Sequence, residues 1–118
     1  MVEESIIESV RRYLHALHSS GLGVRFGVLF GSWASGKADT WSDIDLMVVS
    51  SRFDRPSSRK DIDLLWHVAA RSDSRIEPIP CGLEQWEHDT SSAIIEIARR
   101  EGTQIFLDST STASSGLT

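Results

Sequence analysis

The sequence predicts one domain of the α/β or α+β class, in which helices cover most of a β-sheet. The length of 118 residues suits one ordinary domain. A hydrophobic fraction of 40% and a charged fraction of 25% are close to the globular average, which excludes wholesale disorder. Helical and strand periodicities alternate along the chain, in the order α-β-(α)-β-α-β-α-β.

The first helix and strand are predicted from periodicity and composition. Residues Val2 to Ser20 have an apolar stripe at helical spacing, and Gly21 and Gly23 end that helix. The stripe consists of Ile6, Val10, Leu14 and Leu17. Val24 to Phe30 is short and rich in branched and aromatic residues, which is typical of a buried strand.

The middle of the chain contains a turn, a strand and a loop. Gly31 and Ser32 follow the first strand directly, and the segment after them is long enough for a single helical turn. Ile44 to Val49 is an apolar strand, and Ser51 to Ser58 is predicted to be a loop.

The next helix and strand follow from capping and proline signals. Ser58 and Asp61 resemble a capping box that opens a helix through about Arg71. The predicted inward stripe of this helix is Ile62, Leu65, Trp66 and Ala69. Arg75 to Pro80 is predicted to be a strand, and its two prolines indicate either an edge of the sheet or an early end to its pairing.

The last predicted elements are a helix and a short strand. The helix runs from Leu83 to Glu101, with a break near Asp89-Thr90, and Gly102 serves as its C-cap. Its predicted inward residues are Ile94, Ile97 and Ala98. Thr103 to Leu107 is the last strand. The domain is therefore expected to occupy residues 1–108, and the serine-rich segment 109–118 is expected to be a flexible tail.

Charge and composition exclude several classes of function. The net charge of -5 disfavours a broad electrostatic grip on nucleic acid, although it allows a small anionic ligand held through metal ions. The single cysteine, Cys81, permits no internal disulfide and no cysteine-based zinc site. The chain has no apolar run of membrane-spanning length, and its N-terminus is acidic, so we expect a cytoplasmic protein without membrane association.

Two carboxylates mark the strand Ile44 to Val49. Asp43 and Asp45 are two residues apart, so on a strand both side chains leave the same face. Carboxylates that close repel each other unless a proton or a cation lies between them. A divalent cation with a preference for oxygen ligands, Mg²⁺ or Mn²⁺, is the natural partner.

The Gly31-Ser32 turn provides the parts of a phosphate site. Gly31 lets a phosphate approach the backbone, and Ser32 offers a hydroxyl and an N–H group. A Gly-Ser pair alone is commonly only a turn, and an Asp-x-Asp pair alone is commonly a solvated strand face. Their combination, in this order and between apolar strands, predicts metal-assisted nucleotidyl or phosphoryl transfer.

These residues resemble a known family. Gly31-Ser32, then Gly36, then the run from Ser42 to Leu46 is similar to the nucleotidyltransferase superfamily that includes polymerase beta, and above all to its minimal (MNT-type) members. The resemblance implies a mixed sheet and two Mg²⁺ ions held by three carboxylates. It also implies transfer of a nucleoside monophosphate from a nucleoside triphosphate, ATP in the first place, to a hydroxyl group.

The resemblance assigns roles to individual residues. Asp43 and Asp45 match the first two carboxylates, and Gly31 and Ser32 match the phosphate-binding turn. The third carboxylate normally lies on a later strand, beside the one with Asp-x-Asp. Glu77 is the best match and would bind metal and act as the general base; the alternative is that it is a surface residue of an edge strand.

Four other residues have two interpretations each. Asp73 is the alternative third carboxylate, although it lies in a predicted loop. Many minimal members have an arginine before the next glycine; this chain has none there, so Lys37 is either the phosphate-facing charge or a solvated lysine. Ser42 matches the family and orients a carboxylate or contacts phosphate, or is only a turn residue. Trp33 packs in the domain or stacks on a base.

Three functions follow as hypotheses. The first is an active nucleotidyltransferase, acting on a small molecule or on a partner protein. The second is a binding module, because minimal members often resemble the antitoxin of a toxin–antitoxin pair whose toxin is a helical RNase-like protein. The third is a degenerate domain or another magnesium-dependent phosphotransfer fold.

Overall fold

A computed structural model describes residues 3–56 and 58–107. Four strands form one sheet in the order β3-β2-β1-β4. The strands are β1 (Phe26–Phe30), β2 (Ile44–Val49), β3 (Ile76–Cys81) and β4 (Thr103–Ile105). The α-helices are α1 (Glu4–Ser19), α2 (Ser32–Ser35), α3 (Arg59–Ser72), α4 (Leu83–His88) and α5 (Ala93–Glu101), and a 3₁₀ turn spans Ser51–Asp54.

The sheet is mixed, as the family resemblance implies. Strand β1 runs antiparallel to both of its neighbours, β2 and β4. Strands β2 and β3 are parallel, and α3 makes the crossover between them. Strand β3 lies at the edge of the sheet, which confirms the prediction from Pro78 and Pro80.

Helices α1 and α3 cover one face of the sheet. Their buried side chains pack with Leu29, Leu46 and Val48 in the larger of the two apolar clusters. The Tyr13 hydroxyl donates a 2.9 Å hydrogen bond to the carbonyl of Leu65, which fastens α1 to α3. This layer follows the predicted stripe of α1, whose four members are all buried.

Helices α4 and α5 cover the other face. Ile95 and Ala98 of α5 pack against Val28 and Met47 in the second apolar cluster. Successive side chains of a strand alternate between faces, so Asp45 leaves the same face as Met47. The carboxylates of the predicted site therefore lie on the α5 side of the sheet.

The predicted inward stripes of α3 and α5 are partly wrong. Trp66 is half exposed, and Ile94 and Ile97 are also exposed, whereas Ile95 is buried. Helix α5 starts afresh at Ala93, with Ser92 as an N-cap that accepts a bond from the Ile95 N–H. The break near Asp89 was expected, but the phase of the helix after it was not: its inward positions are Ile95 and Ala98.

Element ends differ from prediction by a few residues. Strand β1 begins at Phe26, β3 ends at Cys81, and β4 ends at Ile105. Gly102 is the C-cap of α5, yet its φ of -84° is not left-handed. It is a glycine because a β-carbon there would lie 2.5 Å from the carbonyl oxygen of Ala98. The predicted tail, residues 109–118, lies outside the described residues.

Within residues 3–56 and 58–107, each helix is too short or too polar to cross a membrane.

Candidate functional site

The register of β2 and β3 brings the predicted carboxylates together. Asp45 on β2 is directly opposite Glu77 on β3 in the parallel pair. Asp43 immediately precedes β2, and its carboxyl group is hydrogen-bonded to that of Glu77. Asp43 and Glu77 are exposed, while Asp45 is partly buried. The structure therefore places all three predicted carboxylates in one cluster.

Desolvation, and after it the neighbouring negative charges, raise the pKa of two carboxyl groups in this cluster, Asp45 and Glu77. Burial, followed by the charge of Asp43, raises the pKa of Asp45. Desolvation raises the pKa of Glu77, with further contributions from Asp43 and Asp45. A hydrogen bond between two carboxyl groups requires a proton on one of them. Carboxylates whose charges act on one another favour a proton or a cation between them.

The donor chemistry of the cluster fits a hard divalent cation. Asp43, Asp45 and Glu77 supply only carboxylate oxygens, which are ligands that Mg²⁺ and Mn²⁺ prefer. As they stand, no three His, Cys, Asp or Glu side chains among the described residues form a ready-made metal cage. Mg²⁺ usually takes only one or two carboxylates from the protein and completes its shell with water and substrate phosphate, so a complete cage is not required.

The Gly31-Ser32 turn lies beside the carboxylates. Phe30, the last residue of β1, is the register partner of Asp45. Gly31 follows it with a φ of +76°, and a β-carbon there would overlap the Oδ2 atom of Asp45. The chain then enters α2, where the N–H groups of Ala34 and Ser35 both bond to the Gly31 carbonyl. Glycine is required here for its backbone conformation and for space.

Ser42 shapes a turn. Its hydroxyl accepts a 3.0 Å bond from the Asp39 N–H and donates a 3.2 Å bond to Asp39 Oδ1. The Trp41 N–H donates to the same carboxylate oxygen at 2.9 Å. Residues 39–42 thus form a closed turn that leads directly into Asp43, and we call it the motif turn.

Lys37 presents no described partner for its ammonium group. Its side chain is exposed, and its backbone N–H donates to the Ser32 carbonyl at 3.0 Å, which closes α2. This arrangement leaves both interpretations of Lys37 open.

Asp73, the alternative third carboxylate, is held by Arg75. Arg75 Nη2 lies 2.7 Å from Asp73 Oδ2, and Arg75 Nε donates to Oδ1 at 3.0 Å. This side-chain hydrogen bonding is the largest cause that lowers the pKa of Asp73. The register places Glu77, and not Asp73, beside Asp45.

Sequence reasoning missed Arg75 as a site residue and left two interpretations open for Trp33. Arg75 Nη1 donates to the Thr40 carbonyl at 3.1 Å, and its guanidinium lies 5.7 Å from the centre of the Trp33 ring. Trp33 is buried, and its Nε1 donates to the Ser42 carbonyl at 3.1 Å. The only signal for Arg75 in the sequence is its position two residues before Glu77. Trp41, in contrast, is 86% exposed.

Similar folds occur among solved structures that share little sequence with this chain. A toxin–antitoxin complex with AMP-PNP matches at a TM-score of 0.56 and 17% identity, over 87% of this chain and 77% of that one. A candidate nucleotidyltransferase from Sulfolobus solfataricus matches at 0.57 and 15%, over 83% and 77%. A complex of a tri-AMPylated HEPN toxin of Shewanella oneidensis with its MNT antitoxin matches at 0.52 and 15%, over 91% and 77%.

At these sequence identities the structural matches show a shared fold only. The family is shown by a match of the sequence itself. No curated protein sequence matches the chain. The sequence model of the nucleotidyltransferase domain family matches residues 7–100. These residues include the whole carboxylate cluster and the Gly31-Ser32 turn. With that match over most of its length, the chain belongs to the nucleotidyltransferase domain family.

Proposed function

We propose that this domain transfers a nucleoside monophosphate from a nucleoside triphosphate to an acceptor hydroxyl and releases pyrophosphate. The observation that carries the proposal is the pairing of Asp45 with Glu77 across β2 and β3, with Asp43 bonded to Glu77 and Gly31 against Asp45. Carboxylates beside a glycine turn are the parts that nucleotidyl transfer requires.

The reaction is an in-line displacement at the α-phosphorus. The acceptor oxygen forms a bond to that phosphorus while the bond to the pyrophosphate oxygen breaks, and Glu77 takes the hydroxyl proton. The backbone at Gly31 and the hydroxyl of Ser32 hold phosphate oxygens, and the exposed ammonium of Lys37 is available to the leaving pyrophosphate. Fixed geometry lowers the barrier by holding the reacting groups together.

A divalent cation is part of this proposal. Asp43, Asp45 and Glu77 would hold Mg²⁺, two ions by the family resemblance, or Mn²⁺ in its place. A bound ion of this kind neutralises negative charge on the phosphates. We propose ATP as the preferred nucleotide, which agrees with the AMP-PNP complex among the similar folds.

The acceptor is a hydroxyl of a small molecule or of a helical partner protein. The AMPylated HEPN toxin among the similar folds supports a protein acceptor of the toxin class. Nucleic acid is a poor candidate because the chain has a net charge of -5. The proposed site of action is the cytoplasm, where ATP and Mg²⁺ are abundant.

Incubation with α-³²P-labelled nucleoside triphosphates, Mg²⁺ and a bacterial cell extract tests the proposal. We expect label from ATP to appear on a protein or small molecule, together with pyrophosphate. Asp45→Asn is expected to abolish labelling, while Asp63→Asn, an exposed carboxylate on α3, leaves it unchanged. The proposal fails if no Mg-nucleotide binds in isothermal titration and no transfer is detected.

A second candidate function is neutralisation of a helical, RNase-like partner by contact alone. Ile94 and Ile97 of α5 are 40% and 39% exposed, one helical turn apart, and so offer an apolar contact. A partner purified with the chain separates the two functions. Asp43→Ala should leave contact inhibition intact and abolish transfer, whereas Ile97→Lys should weaken contact inhibition and leave nucleotide binding unchanged.

A further inference from the structure

Arg75 contacts three parts of the candidate site: Asp73, the motif turn and Trp33. Its guanidinium pairs with Asp73 through Nη2 at 2.7 Å and through Nε at 3.0 Å. Nη1 donates to the Thr40 carbonyl in the motif turn at 3.1 Å. The guanidinium also lies 5.7 Å from the centre of the Trp33 ring, within the range of a cation–π contact. One side chain from the start of β3 thus reaches α2 and the motif turn.

Trp33 completes the connection on the other side. Its ring is buried, and its Nε1 donates to the carbonyl of Ser42 at 3.1 Å. Trp33 directly follows the Gly31-Ser32 turn, and Ser42 directly precedes Asp43. This hydrogen bond therefore links the Gly31-Ser32 turn to the start of β2, in addition to the pairing of Phe30 with Asp45.

The backbone adds a third fastening. The N–H of Ile44 donates to the carbonyl of Arg75 at 2.8 Å. This bond lies between Asp43 and Asp45 on β2 and two residues before Glu77 on β3. This backbone bond does not depend on the side chain at position 75, but it places the Arg75 side chain beside the stretch of β2 and β3 from which the carboxylates project.

We propose that Arg75 is a positioning residue. It holds the motif turn and Trp33, and so keeps the three carboxylates in place relative to the Gly31-Ser32 turn. The proposal rests on the proposed function for its catalytic meaning, but its effects on geometry stand without it. Three of the five N–H donors of the guanidinium are used by Asp73 and Thr40, so its task is structural orientation rather than phosphate binding.

Planar, forked geometry is essential to this role. A lysine in place of Arg75 keeps the charge but cannot bond to Asp73 through two nitrogens while it also reaches Thr40 and stacks on Trp33. Arg75→Lys is therefore expected to fall between the natural chain and Arg75→Ala. A residue that contributed only charge would be replaced fully by lysine.

The test compares Arg75→Ala and Arg75→Lys with the control Arg71→Ala, an exposed arginine on the last turn of α3. The first readout is calorimetric titration with Mn²⁺ alone. The second is hydrogen exchange at the Trp33 indole N–H, which is one of four tryptophan signals and is identified by Trp→Phe replacement. The third is the separation of kcat from KM for ATP.

We expect Arg75→Ala to weaken Mn²⁺ binding, to speed exchange at the Trp33 indole, and to lower kcat by roughly tenfold to a hundredfold with a smaller change in KM. Arg71→Ala should change none of these. Unchanged Mn²⁺ affinity together with an unchanged Trp33 exchange rate in Arg75→Ala would overturn the proposal.

Two further results keep the test decisive. If Arg75→Ala does not fold, Trp33→Phe removes the indole N–H donor and keeps an aromatic ring. It should also weaken Mn²⁺ binding; if it does not, the proposal is wrong. If the natural chain transfers no nucleotide, the proposed function fails, while the Mn²⁺ and exchange measurements still decide the positioning role.

Discussion

Gly31 and Asp45 lie so close across the β1–β2 pair that a β-carbon at position 31 would overlap the carboxylate of Asp45. Gly36 has a similar φ, +78° against +76°, but a β-carbon there would meet nothing within 4 Å. The two positions also differ in ψ, which is -147° at Gly31 and 14° at Gly36, so only Gly31 combines a backbone almost exclusive to glycine with a steric overlap.

Gly31→Ala should destabilise the domain more than Gly36→Ala. Alanine at position 36 must adopt a left-handed backbone, which costs about 1–2 kcal/mol. The Gly31 backbone, with φ +76° and ψ -147°, lies in a region that is almost exclusive to glycine, so alanine costs more there. Only Gly31→Ala also displaces Asp45, so it should additionally weaken Mn²⁺ binding. Urea unfolding and Mn²⁺ titration measure the two effects, and equal losses of stability in the two variants would contradict the close approach.

Removal of one negative charge from the carboxylate cluster should have opposite effects in the presence and absence of metal. Asp45→Asn relieves repulsion from Asp43 and Glu77, so without metal its melting temperature should equal or exceed that of the natural chain. Mg²⁺ should stabilise the natural chain, by about 2.7 kcal/mol at a hundredfold excess over Kd, and leave Asp45→Asn nearly unaffected.

Thermal melts with and without Mg²⁺ test this expectation. A concentration of about 10 mM is enough to detect binding with a Kd in the millimolar range or below. Asp63→Asn serves as the control, since Asp63 is exposed on α3. An Asp45→Asn variant that keeps the full Mg²⁺ stabilisation would show that the cluster does not hold the ion.

Stability should fall in acid through the Asp73–Arg75 pair. Hydrogen bonds from Arg75 lower the pKa of Asp73 in the folded state, and the Ser9 side chain adds a further bond. The depressed pKa means that this contribution is complete above the unfolded value of about 3.9 and is lost as pH falls through the lower, folded value. Glu3 also lies near Arg75, and its charge favours the arginine cation.

Asp73→Asn should therefore flatten the acid limb of a plot of unfolding free energy against pH. At pH 7 the substitution should cost about 1 kcal/mol, because the pair is only partly shielded from water. Urea titrations from pH 7 to pH 3 measure the slope. A slope in Asp73→Asn identical to that of the natural chain would rule out the pair as its source.

Cys81 should be unreactive while the domain is folded. The side chain is buried, and burial raises the pKa of the thiol to about 11. At pH 8 almost none of it is thiolate, the form that reacts with iodoacetamide. Labelling followed by mass spectrometry should be slow in buffer and fast in 6 M urea, a concentration above the midpoint of a typical small domain. Rapid labelling in buffer would contradict the buried placement.

Adjacent isoleucines on α5 should differ sharply in their effect on stability. Ile95 is 4% exposed and Ile94 is 40% exposed. Ile95→Ala should cost roughly 2–5 kcal/mol, because it leaves a cavity against Val28 and Met47. Ile94→Ala should cost much less, and comparable losses in urea unfolding would mean that the phase of α5 is wrong.

The sequence predicted the elements that carry strong local signals. The bounds of β2 were predicted residue for residue, because a short apolar run that only Asp45 interrupts defines it. The Ser58 cap was also predicted, and its hydroxyl accepts a bond from the Asp61 N–H at 3.2 Å. The break in the last helix was anticipated near Asp89, and α4 does end at His88.

Features that depend on contacts between distant segments could not be predicted in the same way. The Arg75–Thr40 bond joins positions that no periodicity relates. The inward face of α5 depends on where the helix restarts, and Ser92 determines this. The proximity of Glu77 to Asp45 was inferred from a family resemblance, whereas the register that produces it is a property of the folded sheet. The roles of the site residues stay predictions.

The parallel pairing of β2 and β3 has a consequence for how the site comes into being. Asp43 and Asp45 are neighbours in any conformation of the chain, but Glu77 reaches them only after α3 has made its crossover. An unfolded chain offers a cation two adjacent carboxylates, and a folded chain offers a third from the far side of a closed loop. A cation bound by all three would therefore hold the two ends of the crossover together. Its affinity would report whether β2 and β3 are correctly paired.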